Sequence, residues 1–157
     1  MSRLEVKMPF TNPSDDAIAE LLLTAKTIAI VGVSDNPQRP SHEVASALLE
    51  FGHRIIPVNP VLAAWQGQRA IPDLEQLSDV LDAGERVDIV GVFRQPEQVD
   101  GIVASCLRLK LPTLWLQLGV INERAAWRAQ EGGMTVVMDR CMKIERQRAH
   151  DTRAQKR

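Results

Sequence analysis

The sequence predicts an α/β fold, a Rossmann-like doubly wound five-stranded parallel sheet in a single domain, on three observations. Five short apolar runs alternate with segments of helical periodicity, the pattern of βαβ units joined by right-handed crossovers. The first run, residues 28–31, is continuously apolar, as a strand must be when helices cover both of its faces. Gly32 stops that run, and after a polar loop residues 41–51 place Val44, Ala45, Leu48 and Leu49 on one helical face.

The elements follow in order. Residues 1–13 contain Pro9 and Pro13, show no period and read as an extended lead-in. Ser14, with Asp15 and Asp16 behind it, reads as an N-cap and an acidic first turn, and Ile18, Leu21, Leu22 and Ala25 continue at helical spacing. The first strand and its helix come next; Gly52 ends that helix, and a second apolar strand ends at Asn59-Pro60. Residues 61–73, with Trp65, Gly67 and Pro72, read as irregular, with Trp65 as a surface lid or interface contact. Leu74, Leu77, Val80 and Leu81 suggest a short helix stopping near Gly84. A third strand spans residues 87–93. Pro96 then opens a helix with the apolar face Val99, Ile102, Val103, Cys106 and Leu107. Residues 113–118, with Trp115 in the core, form the fourth strand. Asn122 caps a helix that ends at Gly132-Gly133, and residues 135–138 form the fifth strand. The domain thus covers residues 14–145. The segment 146–157 reads as a polar basic tail, a solvated helix end that frays, and it has no aromatic residue on which a base could stack.

A chain of 157 residues fits one domain that buries roughly two thirds of its unfolded surface. Its 19 basic residues oppose 20 acidic ones, so a net charge of -1 gives no global attraction for nucleic acid or membrane, and any anion site must be local. The opening MSRLEVKMPF lacks the apolar core of a signal peptide, and no stretch approaches the roughly 20 apolar residues that span a bilayer, so a cytoplasmic protein is expected. Two cysteines, Cys106 and Cys141, make neither a disulfide framework nor a metal site.

Function should lie where such sheets bind ligands, at the carboxyl ends of the strands, with the first and fourth strands adjacent and a crevice between them. The rim would comprise Gly32, Val33 and Ser34; Asn59 and Pro60; Phe93 and Arg94; Gln117, Leu118 and Gly119; and residues 139–141. A dinucleotide fingerprint needs three spaced glycines and an acid roughly 20 residues later. Gly32 is instead followed by VSDNPQRPS, and the second strand ends at Asn59, which disfavours NAD. Arg39 beside the helix start and Arg94 after the third strand suit a ligand with several phosphates.

From residue 24 to residue 145 the sequence resembles the stand-alone bacterial CoA-binding-domain family, which shares its fold with the N-terminal domain of the succinyl-CoA synthetase α subunit. The matching stretches are IAIVGVSDNPQRPSHEV, IIPVNP, GQRAIPDLEQL, VDIVGVFRQPE, TLWLQLGV and VVMDRCMKIE. The resemblance implies a coenzyme A site built from Gly32, Val33, Ser34, Arg39, Pro40 and Ser41, from Val58, Asn59 and Pro60, and from Val92, Phe93, Arg94 and Pro96. The synthetases carry their catalytic histidine in a later domain, so ligase activity by this chain alone is not expected.

Ser34 reads equally as a turn residue and as a diphosphate contact, and Ser41 as a helix cap. His42 and His53 lack an acid or nucleophile at a telling spacing, so no catalytic residue is assigned. Cys106 belongs to the core, while Cys141 follows the fifth strand beside Arg140, a neighbour that favours a thiolate, and is a possible reactive thiol. A nicotinamide-dependent redox enzyme or sensor, and an interaction protein without a ligand, remain alternatives on the same fold.

Overall fold

Every residue of strand β1 (Thr27–Val31) is buried, because β1 is paired on both edges and covered on both faces. The computed structural model describes residues 9–156; the part of the lead-in at residues 1–8, and Arg157, lie outside the described residues. β1 pairs in parallel with β2 (Arg54–Val58) on one side and with β5 (Ile89–Val92) on the other. β6 (Thr113–Leu116) and β7 (Thr135–Val137) extend the sheet, giving the order β2-β1-β5-β6-β7, parallel throughout.

Apolar residues of β1 divide by parity, as the two-residue repeat of a strand requires. Ala29 and Val31 face a core made with α3 (Val99–Arg108) and α4 (Glu123–Glu131), whose buried residues include Val103, Cys106, Ala125 and Ala129. Ile28 and Ile30 face the opposite core, with α1 (Asp15–Thr24), α2 (Pro40–Glu50) and α5 (Met142–Gln155). Ile18, Leu22, Leu48 and Trp115 are at most 1% exposed there. Each such aliphatic side chain contributes about 1.5–3 kcal/mol by leaving water. Ser14 caps α1 by accepting from Ala17 N at 3.2 Å, and Asn122 caps α4 by accepting from Ala125 N at 3.0 Å.

The sheet corrects one expectation. The fourth strand, β6, does not touch β1; the third strand, β5, does. The outer edge of β2 is met by Ile71, whose N–H donates to Pro57 O at 3.0 Å while Asn59 N donates to Ile71 O at 2.9 Å. With that edge occupied, β5 pairs on the far side of β1. The winding therefore reverses between β1 and β5.

Residues expected to be irregular contain a small antiparallel hairpin, β3 (Ala64–Trp65) and β4 (Gln68–Arg69), turned by Gly67 at φ +76°. Trp65 is buried at 3% exposure, so it is a core residue and not a lid. A 3₁₀ turn, Leu74–Asp79, takes the place of the short helix.

The polar segment after residue 145 is helical through Gln155, and α5 packs against α1 and α2. Arg146 is only 6% exposed, with its guanidinium carbon 4.4 Å from the Phe51 ring centroid and its Nε donating to His53 Nε2 at 2.9 Å. Ala149, on the same helix, is buried too. Charge count alone hid this face, because the arginine stem and a stacked guanidinium bury well. The described part of the lead-in is tied down just past β7: Asn12 Nδ2 donates to Met138 O at 3.0 Å, and Met138 N donates to Asn12 Oδ1 at 2.7 Å.

Candidate functional site

The turn after β1 begins at Gly32, whose φ of +89° lies in the region that glycine adopts without strain. Its N–H donates to Val58 O at 2.8 Å, tying the ends of β1 and β2 together. Several hydrogen bonds hold the loop that follows. Asn59 Nδ2 donates to Val33 O at 2.8 Å, and Trp65 Nε1 donates to Ser34 O at 3.0 Å. Ser34 Oγ accepts from Asn36 N, and Asn36 Oδ1 from Gln38 N, both at 3.0 Å. These short-range bonds fix the loop before any ligand arrives. Ser34 therefore serves the turn. Ser41 is not the cap of α2: Arg39 occupies the N-cap position and Pro40 starts the helix, so Ser41 lies inside the first turn. Its Oγ instead accepts from Ser34 N at 3.0 Å and fastens the loop to the helix.

Loops from β1, β5, β6 and β7 surround one cleft of about 890 Å³ at the carboxyl edge of the sheet. Of the expected site residues, Gly32, Ser34, Arg39, Pro40, Ser41, Asn59, Phe93, Arg94, Pro96 and Cys141 line it. Val33, Val58 and Val92 do not; each is at most 1% exposed and packs in the core. Pro60 lines an adjoining hollow of about 380 Å³, which shares Arg94 and Gln98 with the cleft.

Neither Arg39 nor Arg94 has an ion-pair or hydrogen-bond partner for its guanidinium among the described residues. Other cations near the cleft are already engaged. Lys143 Nζ donates to Glu43 Oε2 at 2.9 Å, a contact that raises the lysine's pKa and joins α2 to α5. Arg140 reaches Glu145 Oε2 at 3.3 Å and Asp15 Oδ1 at 3.6 Å, so its charge is answered by carboxylates and not reserved for Cys141.

Cys141 occupies the N-cap position of α5, is half-buried and has a free thiol. Beside it, Gln117 is 1% exposed; its Oε1 accepts from Met142 N at 3.2 Å, and its Nε2 has no partner among the described residues. Gly91 leaves room for that amide, since a Cβ there would stand 3.0 Å from Nε2.

Sequence reasoning missed Glu43, Val44, Gln98, Val120, Lys143 and Ile144 as lining residues. Extending the strand-end rule three residues past Cys141, into the first turn of α5, would have found Lys143 and Ile144. No group of His, Cys, Asp or Glu among the described residues is placed to hold a metal ion.

A doubly wound parallel sheet with a cleft at its winding reversal defines an α/β protein of the Rossmann-like class. Residues 26–147 match the CoA binding domain family, and the chain belongs to that family. An uncharacterized Bacillus subtilis protein, YneT, is 41% identical over 133 residues, which covers 85% of this chain and 94% of YneT. The solved structure of cell-free ID.343 from Thermus thermophilus is 34% identical with a TM-score of 0.78, covering 87% of this chain and 99% of that one. A dinucleotide-forming acetyl-coenzyme A synthetase from Candidatus Korarchaeum cryptofilum, solved with phosphate and ADP, shares the fold at 21% identity and a TM-score of 0.61. That match covers 76% of this chain and 27% of the synthetase. No helix among the described residues is long and apolar enough to cross a membrane.

Proposed function

We propose that this protein binds coenzyme A, or a short acyl-CoA, in the cleft, with the polyphosphate lying between Arg39 and Arg94 above the Gly32 turn. The observation that carries this reading is the pair of guanidinium groups without partners, facing one preformed cleft at the winding reversal. An arginine fork matches phosphate oxygens, and the first turn of α2 adds the positive end of a helix. Val44, Leu118, Val120 and Ile144 give the same cleft an apolar side suited to the pantetheine arm. The hollow beyond Arg94 leaves room for the other end of the ligand.

Val33, Val58 and Val92 serve the reading indirectly, by fixing the strand ends from which the loops depart. The site is read as one of binding, without a catalytic residue.

Titration calorimetry with CoA, dephospho-CoA and NAD tests the reading. CoA is expected to bind more tightly than NAD, because the glycines and the ribose-binding acid of a dinucleotide site are missing. NAD binding of equal or greater strength would overturn it.

A further inference from the structure

We infer that Cys141 is an exchange site inside the cleft that takes up the sulfur of CoA as a mixed disulfide, an inference that rests on the CoA reading above. Two independent observations converge on it. Cys141 lines the cleft as a free, half-buried thiol, whereas Cys106 is fully buried on α3. Burial, with a smaller push from Glu75, drives the Cys106 thiol up to about 12, which leaves it inert to exchange.

The second observation is Gln117. Its amide orientation is fixed, because turning it over would set an NH₂ group against the N–H of Met142. The remaining donor, Nε2, is buried in a residue that lines the same cleft and has no partner among the described residues. A buried donor without an acceptor is destabilising, and a carbonyl brought by a ligand would relieve it. CoA carries amide carbonyls along the arm that ends in its thiol. Gln117 Oε1 accepts from the N–H of the residue directly after Cys141, so the amide is tied to the same N-terminal end of α5 that carries the thiol. An arm anchored on Gln117 would end beside Cys141, with Arg39 and Arg94 left for the phosphates.

The step balances with CoA disulfide as the co-reactant. Cys141 gives its proton to water, and the thiolate Sγ attacks one disulfide sulfur. The new S–S bond forms as the old one breaks, and the departing half leaves as a CoA thiolate that takes up a proton. Cys141 is oxidised and the departing sulfur reduced, and a second thiol reverses the exchange.

The full chain would be incubated with CoA disulfide and separately with glutathione disulfide, and the adduct mapped by peptide mass spectrometry. The expected result is a reductant-reversible adduct at Cys141, absent in Cys141→Ser, with Cys106 unmodified. Its rate should saturate with CoA disulfide concentration and fall in Arg94→Ala, while glutathione disulfide should react more slowly and without saturation. CoA binding would be measured in parallel on the unsubstituted chain under reductant. If CoA binds but Cys141 stays unmodified, or if both disulfides react alike, the inference is overturned and the CoA reading stands. If CoA does not bind under reductant, both are overturned.

Discussion

The carbonyl oxygen of Phe93 lies 2.2 Å from the point where a Cβ on Gly32 would fall, so the end of β5 is packed directly against the first turn of the cleft. Arg94 Cδ would be only 3.4 Å from the same atom. Gly32 thus holds two things together: the positive φ that turns the chain and the close approach that brings Arg94 over the loop.

Gly32→Ala should therefore injure both fold and site. The left-handed backbone alone costs about 1–2 kcal/mol for a residue with a Cβ, and the obstructing atom is backbone, which cannot swing aside. Urea denaturation should show at least that loss, and CoA titration should show binding abolished or strongly weakened in the fraction that folds. Wild-type stability in this variant would refute the packing described.

Arg39→Ala and Arg94→Ala should each weaken CoA binding without lowering the melting temperature, because neither guanidinium has a partner to lose among the described residues. A charge-assisted hydrogen bond contributes about 1.5–3 kcal/mol, so each Kd should rise roughly 10- to 100-fold. Calorimetry at low and high salt would add a signature, since the wild-type affinity should fall with salt more steeply than either variant's. Unchanged affinity in both variants would place the anion site elsewhere.

The parts of this architecture written in local pattern were legible in the sequence. Continuous burial at residues 28–31, the caps at Ser14 and Asn122, and the arginines flanking the winding reversal all follow from periodicity and side-chain chemistry. What was not legible depends on distant pairs. β5 lies beside β1 while Ile71 occupies the edge of β2, and no periodicity records which edge is taken. Trp65 looked exposed because its short hairpin lacks alternation, yet its Nε1 finds Ser34 O across 31 residues of chain. Arg146 looked solvated because its partners, Phe51 and His53, lie on the far side of the sequence.

Gly91→Ala tests the packing under the cleft. The new methyl would stand 3.0 Å from both Gln117 Nε2 and Ile30 Cδ1, and 3.2 Å from Met142 Cε. Ile30 is fully buried and Gln117 is tied to Met142 N, so neither yields freely. Overpacking of this kind costs about 1–3 kcal/mol. Gly101→Ala is the matched control: it sits in α3 with nothing within 4 Å of its added Cβ, so it should gain about 0.5–1 kcal/mol instead. Urea midpoints moving in opposite directions would verify both contacts. The same direction for the two would contradict them.

The pair His53 and Arg146 should make stability depend on pH. His53 Nδ1 donates to Ala25 O at 2.9 Å, which leaves Nε2 as the acceptor for Arg146 and requires a neutral ring. Burial holds the His53 pKa below its ordinary 6.5; the bond to Ala25 opposes that shift, and the charge on Arg146 adds to it. The folded state thus binds the proton less readily than the unfolded state does. Stability from this group is then complete above about pH 6.5 and is lost as the pH falls through the lower folded value. Protonation would also turn Nε2 into a donor facing a donor, so the docking of α5 at Arg146 should weaken first. Urea midpoints between pH 8 and pH 5 should decline below about pH 6.5, and His53→Gln, neutral throughout, should flatten that decline while starting from a lower plateau. Amide exchange followed across the same range should show α5 losing protection ahead of β1. A wild-type profile that stays level to pH 5, or one that His53→Gln leaves unaltered, would mean that this contact does not couple α5 to the proton.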